Sequence, residues 1–589
     1  MKYLKYIIIT CLILLGFVLF LNRSACADYF YLSSGTTGGA ADGSSLANAW
    51  KTISAITGVS SGDTIYCAGT QHEQITVADT VSYIVIPDST WTIDGDDTRT
   101  YGIYGLNKSG VIIDGATIQN MRKDANGYGV YFSGGSDNTV KNCNISKIYY
   151  ATNPMIGGSS TAWEVLRGYG IYFQNSNHPT ITGNTVQDIG ARGIVVFSLG
   201  TPLSNITIAN NEITNMNVGI SIAQSTASTL INSVKIYGNY IHDFNNYYAC
   251  SAWHRDGIHI WSIYNSDADT IRNVEIYNNY FADKVNPTGA GNSYIYIEYL
   301  CQNFNIHHNI FDDYLGAYCI RFKGRIGYPD YGGHMIANNT MSTSSSTIYL
   351  GGSSADSVYN NIIYLKNAGV PMAVSVGDLY SMTEFAFSNN IIYPVGVPTA
   401  DIIDIYTPTR TRYNASEAAA AGLNTDGGYT DPLFTGGAGA AGFKLSISGS
   451  DTSAAIDKGL DLGFTTDYQD STIPQGALPD IGAFEFLQRP GSPNAPSDAA
   501  EAHRITHVTL TWTPAAGNDS TQIYQSTNDG AYTWIESHDI AIGTTTIRNL
   551  TAGNLYRFKL ITRKNSPYAL SGGNVVSYTS PYYTMGRIR

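Results

Sequence analysis

The sequence predicts an all-β chain whose main part is a parallel β-helix, a solenoid of stacked coils. A short motif of closely spaced apolar residues, followed by Asn and another apolar residue, recurs at intervals of 22 to 40 residues. Its Asn positions are Asn184, Asn211, Asn239, Asn279, Asn309, Asn339, Asn361 and Asn390. Short runs between the copies alternate apolar and polar residues, as strands do. A motif that returns at a loosely fixed spacing indicates one unit stacked on itself.

The recurring Asn has a physical reason in such a coil. Side chains at the same turn of successive coils lie at roughly the 4.8 Å spacing of neighbouring strands, so each Asn can hydrogen-bond to the Asn above and below. Asn also tolerates the left-handed backbone that such a turn needs. Cys143 takes its place in an earlier coil. The alternative, an Asn-rich tract of low complexity, predicts no apolar partners at fixed offsets.

Residues 1–27 have the pattern of a secretory signal peptide. A basic start precedes an apolar run from Ile7 to Leu21, and Ala25-Cys-Ala27 ends the segment, as a cleavage site does. We expect a protein that is secreted or held at the cell surface, with an uncleaved membrane anchor as the alternative. No other apolar run approaches the roughly 18 residues of a spanning helix, so we expect no membrane span after cleavage.

Both ends of the predicted solenoid resemble known architecture. Residues 28–100, which include Trp50, resemble the opening of secreted proteins of the pectate-lyase-like superfamily, in which a strand and a short helix cap the first coil. Residues 101–400 hold the coils. Residues 401–487, with Asp480-Ile-Gly-Ala-Phe-Glu485, resemble the end region of many secreted bacterial right-handed β-helix proteins. The resemblance implies a right-handed solenoid with a cap at each end, and an open coil end does need a cap.

Beyond residue 487 the pattern changes to antiparallel alternation. Residues 488–493 form a Pro/Gly linker, and residues 494–585 place Trp512 in an early strand and Tyr556 after Leu-Thr-Ala-Gly-Asn-Leu. This segment resembles a fibronectin type III module, a small β-sandwich in which Tyr556 would be the corner tyrosine. Such modules are usually spacers or adhesive units, so we expect no chemistry there.

The net charge restricts the partners that we expect, and the cysteine content restricts the disulfide bonds. The formal net charge is −13, which argues against nucleic acid as a partner. It also disfavours a strongly anionic polysaccharide unless a metal or a basic patch intervenes. The cysteines that would remain after cleavage are odd in number and widely spread, so they are not a disulfide framework.

A candidate site emerges when the coils are aligned on the inward isoleucine of one strand. Outward positions then form two stacks that run across consecutive coils. The first contains Tyr131, Tyr172, Val195, Ser221, His259, Tyr296, Arg321 and Tyr349, and the second contains Ser133, Gln174, Phe197, Ala223, Trp261, Glu298, Lys323 and Gly351. Polar and charged groups concentrate in three consecutive coils, whereas earlier coils place Val, Ser and Ala in the same stacks.

Long inserts at residues 146–168, 242–256 and 282–293 enter the sheet on the same side, and the first two are rich in aromatic residues. A charged cluster walled by such loops predicts a saccharide groove. The substrate-binding candidates are Trp261, Tyr296, Trp253, His254 and Tyr172. The alternative is a set of ordinary solvated residues on an exposed sheet face.

Two enzyme families resemble this region. Asp256-Gly-Ile and Arg321-Phe-Lys323 resemble motifs of polygalacturonase-type glycosidases, although Ile297-Glu298 stands where those enzymes carry an Asp pair. In the simplest register Asp256 and Glu298 are five positions apart along the strand, roughly 16 Å, whereas hydrolytic pairs lie about 5 to 9.5 Å apart. These two residues can form such a pair only if the register differs or if the 242–256 loop folds Asp256 inward. A shift by two residues would stack Glu298 between His259 and Arg321.

The second family is that of polysaccharide lyases on the same fold. They remove the proton beside a uronate carboxylate with an Arg or Lys base, often with calcium holding that carboxylate. The resemblance implies Arg321 or Lys323 as the base, activated by neighbouring positive charge. It implies Asp256 and Glu298 as groups that help to hold Ca²⁺, although the Asp-rich calcium site of those enzymes is not visible in this sequence. No other cofactor is implied. With His259, these residues are the catalytic candidates.

Two functions therefore stay open. The first is a carbohydrate-active protein that cleaves a polysaccharide as a lyase or as a glycoside hydrolase. The second is a non-catalytic adhesion or glycan-binding protein that uses the β-helix as a rigid rod. A polysaccharide or cell-surface glycan is the expected partner in both, and fold alone does not choose between them.

Overall fold

The computed structural model describes most of the chain in two compact units. The described residues are 27–36, 38–122, 126–148, 167–225, 229–244, 255–262, 270–282, 293–314, 317–324, 332–351, 355–366, 372–377, 385–407, 409–448, 451–486, 507–511, 520–527, 533–539, 544–548, 556–563 and 583–584. The first unit takes those within 1–358, 363–387 and 394–423, and the second takes those within 359–362, 388–393 and 424–589.

The first unit is a parallel β-helix whose coils contribute strands to three sheets. Sheet 1 contains Tyr29–Ser33, Thr64–Gln71, Ser82–Val85, Ile112–Asp114, Thr139–Lys141, Thr180–Thr182, Leu203–Ala209, Ile231–Tyr237, Ile271–Tyr277, Cys301–His307 and Met335–Ala337. Sheet 2 contains Trp91–Arg99, Ala116–Met121, Asn144–Ile148, Thr185–Ile189, Glu212–Thr214, Tyr240–His242, Tyr280–Phe281, Ile310–Tyr314 and Thr340–Thr343. The strand Thr64–Gln71 pairs with Ser82–Val85 through its first half and with Trp91–Arg99 through its second, which joins the two sheets.

Sheet 3 carries the candidate site. It contains Ile75–Thr76, Tyr101–Leu106, Asn126–Ser133, Arg167–Gln174, Arg192–Ser198, Val218–Gln224, Asp256–Trp261, Ser293–Glu298, Tyr318–Lys323, Ser346–Gly351, Val374–Gly377, Ile403–Thr407 and Thr409–Tyr413. The pairing is parallel up to Ile403–Thr407, and the last two strands form an antiparallel hairpin. The first unit also has the 3₁₀ turns Leu46–Asn48 and Ile53–Ala55 and the helix Ala415–Ala420, which Asn414 caps through a capping box with Glu417.

The predicted asparagine ladder is present. In each pair the side-chain Nδ2 donates to the Oδ1 of the next Asn, and the backbone N–H donates to the same oxygen. The side-chain distances are 2.9 Å from Asn184 to Asn211, 2.9 Å from Asn211 to Asn239, 2.9 Å from Asn239 to Asn279, 2.9 Å from Asn279 to Asn309 and 3.0 Å from Asn309 to Asn339. Cys143 stands at the start, and its backbone N–H donates to Asn184 Oδ1 at 3.0 Å.

One detail of that prediction is wrong. The left-handed residue of each turn is the one before the ladder Asn, for example Asn210 with φ 55° and Gly238 with φ 65°. The ladder Asn must point its amide into the coil to reach both neighbours, so the reversal of chain direction falls on the preceding residue. Asn or Gly occupies most of these preceding positions, as expected for left-handed backbone.

The core of sheet 3 is a column of aliphatic side chains that pair in register and are fully buried. The column contains Ile103, Val130, Ile171, Ile194, Ile220, Ile258, Ile295, Ile320 and Ile348. Gly precedes the column residue in most of these strands. A Cβ on Gly219 would lie 2.6 Å from the carbonyl oxygen of Gly257 and 2.8 Å from Cγ2 of Ile241, so the close approach of coils requires Gly there.

The second unit has its own ladder and core. Asn361 donates to Asn390 at 2.9 Å, and Asn390 donates to Asn424 at 3.1 Å. Its core groups Ile362, Ile391, Leu445, Ala455 and Ile481. Its elements include the 3₁₀ turn Ala440–Phe443, the hairpin Ile447–Ser448 with Asp451–Thr452, a sheet of His507–Thr511 with Thr544–Arg548, and a sheet of Thr533–Asp539, Ser520–Thr527, Tyr556–Arg563 and Tyr583–Thr584.

Four short strands remain, Ser357–Tyr359, Ile362–Leu365, Ala386–Ser388 and Ile391–Pro394, whose residues are divided between the units. Among the described residues, no helix has the length and apolar character needed to cross a membrane.

Candidate functional site

The outward stacks of sheet 3 follow the register predicted from the inward isoleucine. Ser221, His259, Tyr296, Arg321 and Tyr349 pair in one row, and Ala223, Trp261, Glu298, Lys323 and Gly351 pair in the next. The alternative register is therefore wrong, because Tyr296 rather than Glu298 lies between His259 and Arg321. Asp256 pairs with Ser293, five positions before Glu298, as the simplest alignment predicts.

Glu298 lies at the centre of a group of polar side chains. Its Oε2 lies 3.1 Å from Nε2 of His259, and its Oε1 accepts from the Tyr296 hydroxyl at 2.5 Å and from Lys323 Nζ at 3.0 Å. The Glu298 side chain thus leaves its own row and reaches the row of His259. We call Asp256, His259, Tyr296, Glu298 and Lys323 the Glu298 cluster.

His259 lies between the two carboxyl groups of the cluster. Its Nδ1 is 3.7 Å from Oδ2 of Asp256, opposite the Nε2 that faces Glu298. These two contacts and the width of the imidazole ring hold the carboxyl groups to at most about 9 Å, within the range of inverting glycosidases. The backbone offset of five positions is real, but the side chains converge across it. The separation of roughly 16 Å expected from this offset is therefore too long.

The two carboxyl groups have opposite pKa shifts. Burial raises the pKa of Asp256 well above its usual value, and the Glu298 charge adds to that effect, against smaller opposing effects of the Ser293 N–H and of Arg321. Burial also acts to raise the pKa of Glu298, but hydrogen bonds from the rest of the cluster outweigh it and hold that pKa well below its usual value. The site therefore pairs Asp256, whose surroundings favour the protonated form, with Glu298, whose surroundings favour the ionised form.

Burial lowers the pKa of His259, although its hydrogen bond to Glu298 opposes that shift. The ring is therefore neutral at pH 7. An ionised carboxylate only accepts hydrogen bonds, so Nε2 of His259 carries the proton and donates it to Glu298. Nδ1 is then the unprotonated ring nitrogen, 3.7 Å from Oδ2 of Asp256. The Tyr296 ring stacks on the imidazole at 5.1 Å between centroids, with an interplanar angle of 13°, and fixes its orientation.

The two basic candidates have different surroundings. The guanidinium of Arg321 lies 5.0 Å from the centroid of the Tyr296 ring, 5.7 Å from that of Tyr318 and 5.8 Å from that of Tyr349. Lys323 is ion-paired with Glu298 and keeps 45% of its side chain exposed. They occupy neighbouring outward rows of one strand, but Lys323 faces the carboxylate and Arg321 faces aromatic rings.

The predicted substrate-binding residues are only partly within the described structure. Trp261 is half-buried and contacts Phe197 at 6.2 Å between ring centroids, and Tyr172 lies three coils before His259 on the same row. Trp253 and His254 lie outside the described residues, as do most of the three inserts. Among the described residues, no three His, Cys, Asp or Glu side chains form a metal-binding group.

A repeated tyrosine pattern in the strands of sheet 3 was not among the features predicted from the sequence. The step Tyr-Gly-aliphatic-Tyr occurs in three successive strands, at Tyr101–Tyr104, Tyr128–Tyr131 and Tyr169–Tyr172. It then continues as Arg192-Gly-Ile-Val195, Val218-Gly-Ile-Ser221 and Asp256-Gly-Ile-His259. Gly-Ile is thus a property of the coil, and the resemblance of Asp256-Gly-Ile to glycosidases rests on its acidic residue alone.

Comparisons with known proteins support the fold. Residues 63–235 match the family described as the right handed beta helix region, and no curated protein matches the sequence. Pectate lyase Pel9A is similar in structure with a TM-score of 0.38 and 15% identity, over 78% of this chain and 97% of that one.

Two further solved structures have a similar fold. The family 28 exopolygalacturonase of Yersinia enterocolitica has a TM-score of 0.33 and 13% identity, over 65% of this chain and 74% of that one. A mutant tailspike protein of the E. coli bacteriophage HK620, in complex with a hexasaccharide, has a TM-score of 0.37 and 12% identity, over 92% of this chain and 86% of that one.

Proposed function

We propose that the protein binds a polysaccharide on the outward face of sheet 3 and hydrolyses it at the Glu298 cluster. The observation that carries this proposal is the pair of carboxyl groups with opposite pKa shifts on either side of His259. The lowered pKa keeps Glu298 ionised, as the base of a glycosidase must be, and Asp256 positions His259 against it.

In the proposed reaction a water attacks the anomeric carbon and loses a proton to Glu298, while the glycosidic oxygen takes a proton from solvent as its bond to that carbon breaks. Glu298 then returns its proton to solvent. Nε2 of His259 lies 3.1 Å from the Glu298 carboxylate and orients it, since an acid acting on the opposite face of the sugar would lie farther from the base. The side chain of Asp256 has no exposed surface and acts through His259, whereas those of His259 and Glu298 keep 10% and 9% exposed.

The contacts of the basic residues favour hydrolysis over a lyase reaction. A lyase base must take a proton from the sugar, whereas Lys323 already serves as the cation of an ion pair with Glu298. Both oxygens of Glu298, one of the two residues expected to hold Ca²⁺, already accept from protein donors. We therefore propose a reaction that needs no calcium.

Product chemistry tests the proposal. The protein is incubated with a panel of neutral and acidic polysaccharides, with and without Ca²⁺, and reducing ends are measured together with the absorbance of unsaturated products. Hydrolysis gives reducing ends alone, whereas lyase action gives both signals. We expect Glu298→Gln to lower kcat by about 10² to 10⁴. Glu275→Gln, the same change on sheet 1, serves as the matched control. Full activity in a folded E298Q variant would exclude the assigned site.

Glycan binding without cleavage is the second candidate function. The observation that favours it is the complete occupation of the Glu298 carboxylate by His259, Tyr296 and Lys323, which an attacking water would have to displace. Retention on a glycan array, combined with no product from any polysaccharide of the panel, would select this function over hydrolysis.

We further propose that residues 494–585 form a fibronectin type III module and that residues 1–27 direct the chain out of the cytoplasm. The antiparallel strands in sheets of two and four within residues 507–584 support the first proposal. Cooperative thermal unfolding of the isolated segment 494–585 would test it. Mass spectrometry of the protein produced in a secreting host tests the second, with Asp28 as the expected first residue.

A further inference from the structure

Six tyrosines form a ladder on the outward face of sheet 3. Tyr101, Tyr128 and Tyr169 stack in one column, with ring centroids 5.1 Å apart at each step and interplanar angles of 19° and 17°. Tyr104, Tyr131 and Tyr172 stack in a second column, at 5.8 and 5.5 Å with angles of 3° and 22°. Across the columns the rings are tilted or edge-on, as at Tyr128 and Tyr131 with 69°. We call these six residues the tyrosine ladder.

The ladder presents ring edges and hydroxyl groups. Within each column the faces are covered by the rings above and below, and all the rings except Tyr169 are only half-buried. The edge of an aromatic ring carries partial positive charge, and a phenol is both donor and acceptor. Such a surface suits electron-rich hydroxyl oxygens rather than flat apolar groups. Stacking explains why the rings align. Phenylalanine rings would stack equally well, so stacking does not account for the hydroxyl groups.

The ladder is uncharged over its first two coils. The strands Tyr101–Leu106 and Asn126–Ser133 contain no charged residue. Burial raises the pKa values of Tyr101, Tyr128 and Tyr131, so the phenols stay neutral. Arg167 and Arg192 flank the last coil, where Arg192 donates to Ser221 Oγ at 3.1 Å. A polyuronate would lack cationic partners on these two strands.

The ladder and the Glu298 cluster lie on the same two rows of sheet 3. In register, Tyr169 is followed by Arg192, Val218 and Asp256, and Tyr172 is followed by Val195, Ser221 and His259. Val195, Val218 and Ser221 are buried, so the ladder and the cluster are two separate contact regions on these rows. From the strand of Tyr101 to the strand of Lys323 there are seven steps, roughly 34 Å at about 4.8 Å per step.

We propose that the tyrosine ladder binds uncharged sugar units of a polysaccharide that lies along the solenoid axis and reaches the Glu298 cluster at its other end. This inference rests on the proposed function and adds the chemical class and the direction of the ligand. The ladder is a binding surface that touches sugars remote from the cleaved bond, so its loss weakens the binding of long chains and not the reaction of short ones.

Tyr104→Phe with Tyr131→Phe tests the ladder, because it removes two hydroxyls and keeps both rings. Tyr237→Phe with Tyr277→Phe is the matched control, since those rings stack at 4.8 Å on sheet 1. The probes are neutral glucan, mannan and galactan fragments of two and of eight sugars, and an eight-unit oligogalacturonate. Affinity is measured by calorimetry, and cleavage by reducing ends.

We expect the ladder variant to lose about tenfold in affinity for the long neutral fragment it recognises, with unchanged affinity for the two-sugar fragment and unchanged control behaviour. Wild-type affinity in the ladder variant would overturn the inference while leaving the proposed function intact, provided Glu298→Gln still abolishes cleavage. Stronger binding of the oligogalacturonate, weakened by the ladder variant, would overturn the uncharged class. If no fragment bound the wild-type protein, both the inference and the proposed function would fall.

Discussion

Three donors from different strand positions hold the carboxylate of Glu298. His259 donates from the preceding coil, Tyr296 from the same strand and Lys323 from the following coil. His259 and Tyr296 are buried, whereas almost half of the Lys323 side chain is exposed. The donors therefore differ in how much their loss should cost the folded state.

We expect Glu298→Ala to destabilise the protein by about 2 to 4 kcal/mol, because it leaves the buried His259 and Tyr296 donors without their acceptor. Lys323→Ala should cost about 1 kcal/mol or less, since solvent screens an ion pair with an exposed partner. Urea unfolding followed by circular dichroism compares the two. Equal losses would mean that the lysine charge, rather than the buried donors, balances the carboxylate.

At this scale the sequence predicts which row a residue occupies, but not which neighbouring side chain it contacts. The rows of His259, Tyr296 and Arg321 follow from the period of two and from the inward isoleucine, and both were readable in the sequence. The contact between Glu298 and His259 was not readable, because it crosses from one row to the next through rotamers that the backbone register does not determine.

At the scale of the turn, each ladder Asn makes bonds in both directions along the solenoid. Asn239 donates to Asn279 and to the carbonyl of Ile208, and it accepts from both the side chain and the backbone of Asn211. The repeat spacing predicted this ladder because each coil places the same side chain at the same turn. The position of the left-handed residue was not predicted because a sequence motif specifies side chains and not backbone dihedral angles.

We expect Asn239→Ala to lower the free energy of unfolding by about 2 to 4 kcal/mol, since it leaves several buried partners unsatisfied. Asn232→Ala is the control, because its side chain accepts from Asn273 at 2.7 Å in an exposed pair and should cost less than about 1 kcal/mol. Thermal unfolding of both variants measures the difference. A similar small effect in both would mean that the ladder aligns the coils without stabilising them.

The end region contains a group of buried carboxyl groups whose ionisation makes its stability depend on pH. Burial raises the pKa of Asp467 to about 6, that of Glu485 to about 7 and that of Asp480 to about 8. Their unfolded values lie near 4. Groups with a raised folded pKa stabilise the protein below the unfolded pKa, and this contribution is lost as pH rises through the folded pKa.

The second unit should therefore be most stable near pH 4 to 5 and lose stability progressively up to about pH 8. Scanning calorimetry at several pH values measures the midpoint of its transition. Asp480→Asn should flatten the dependence, whereas Asp461→Asn, at an exposed position, should not. A midpoint that rises between pH 5 and pH 8 would contradict this prediction.

At the scale of the molecule, the solenoid has strand edges that its ends must cover. Tyr29–Ser33 pairs with Thr64–Gln71, and the fully buried Trp50 bridges to Leu32 of the same strand. An uncovered parallel edge is a template for pairing with another chain. The resemblance of residues 28–100 to capped solenoids anticipated a strand at this end.

We expect a variant that lacks residues 28–62 to self-associate, because Thr64–Gln71 would then become a free edge. Light scattering coupled to size-exclusion chromatography measures this. A variant that lacks residues 494–589 keeps the edge covered and should run as the full chain does. Identical behaviour of the two variants would show that the first strand is dispensable as a cover.

The glycine–isoleucine column of sheet 3 separates two kinds of sequence constraint. Gly and Ile are held in place by the approach of neighbouring coils, but the residues on either side of them point outward and vary from Tyr to Arg, Val and Asp. Most of these coils thus share the buried Gly–aliphatic pair and differ at the two outward positions beside it. Substitutions at these outward positions, made in one coil at a time, would lengthen a binding surface or change its specificity without redesigning the interior.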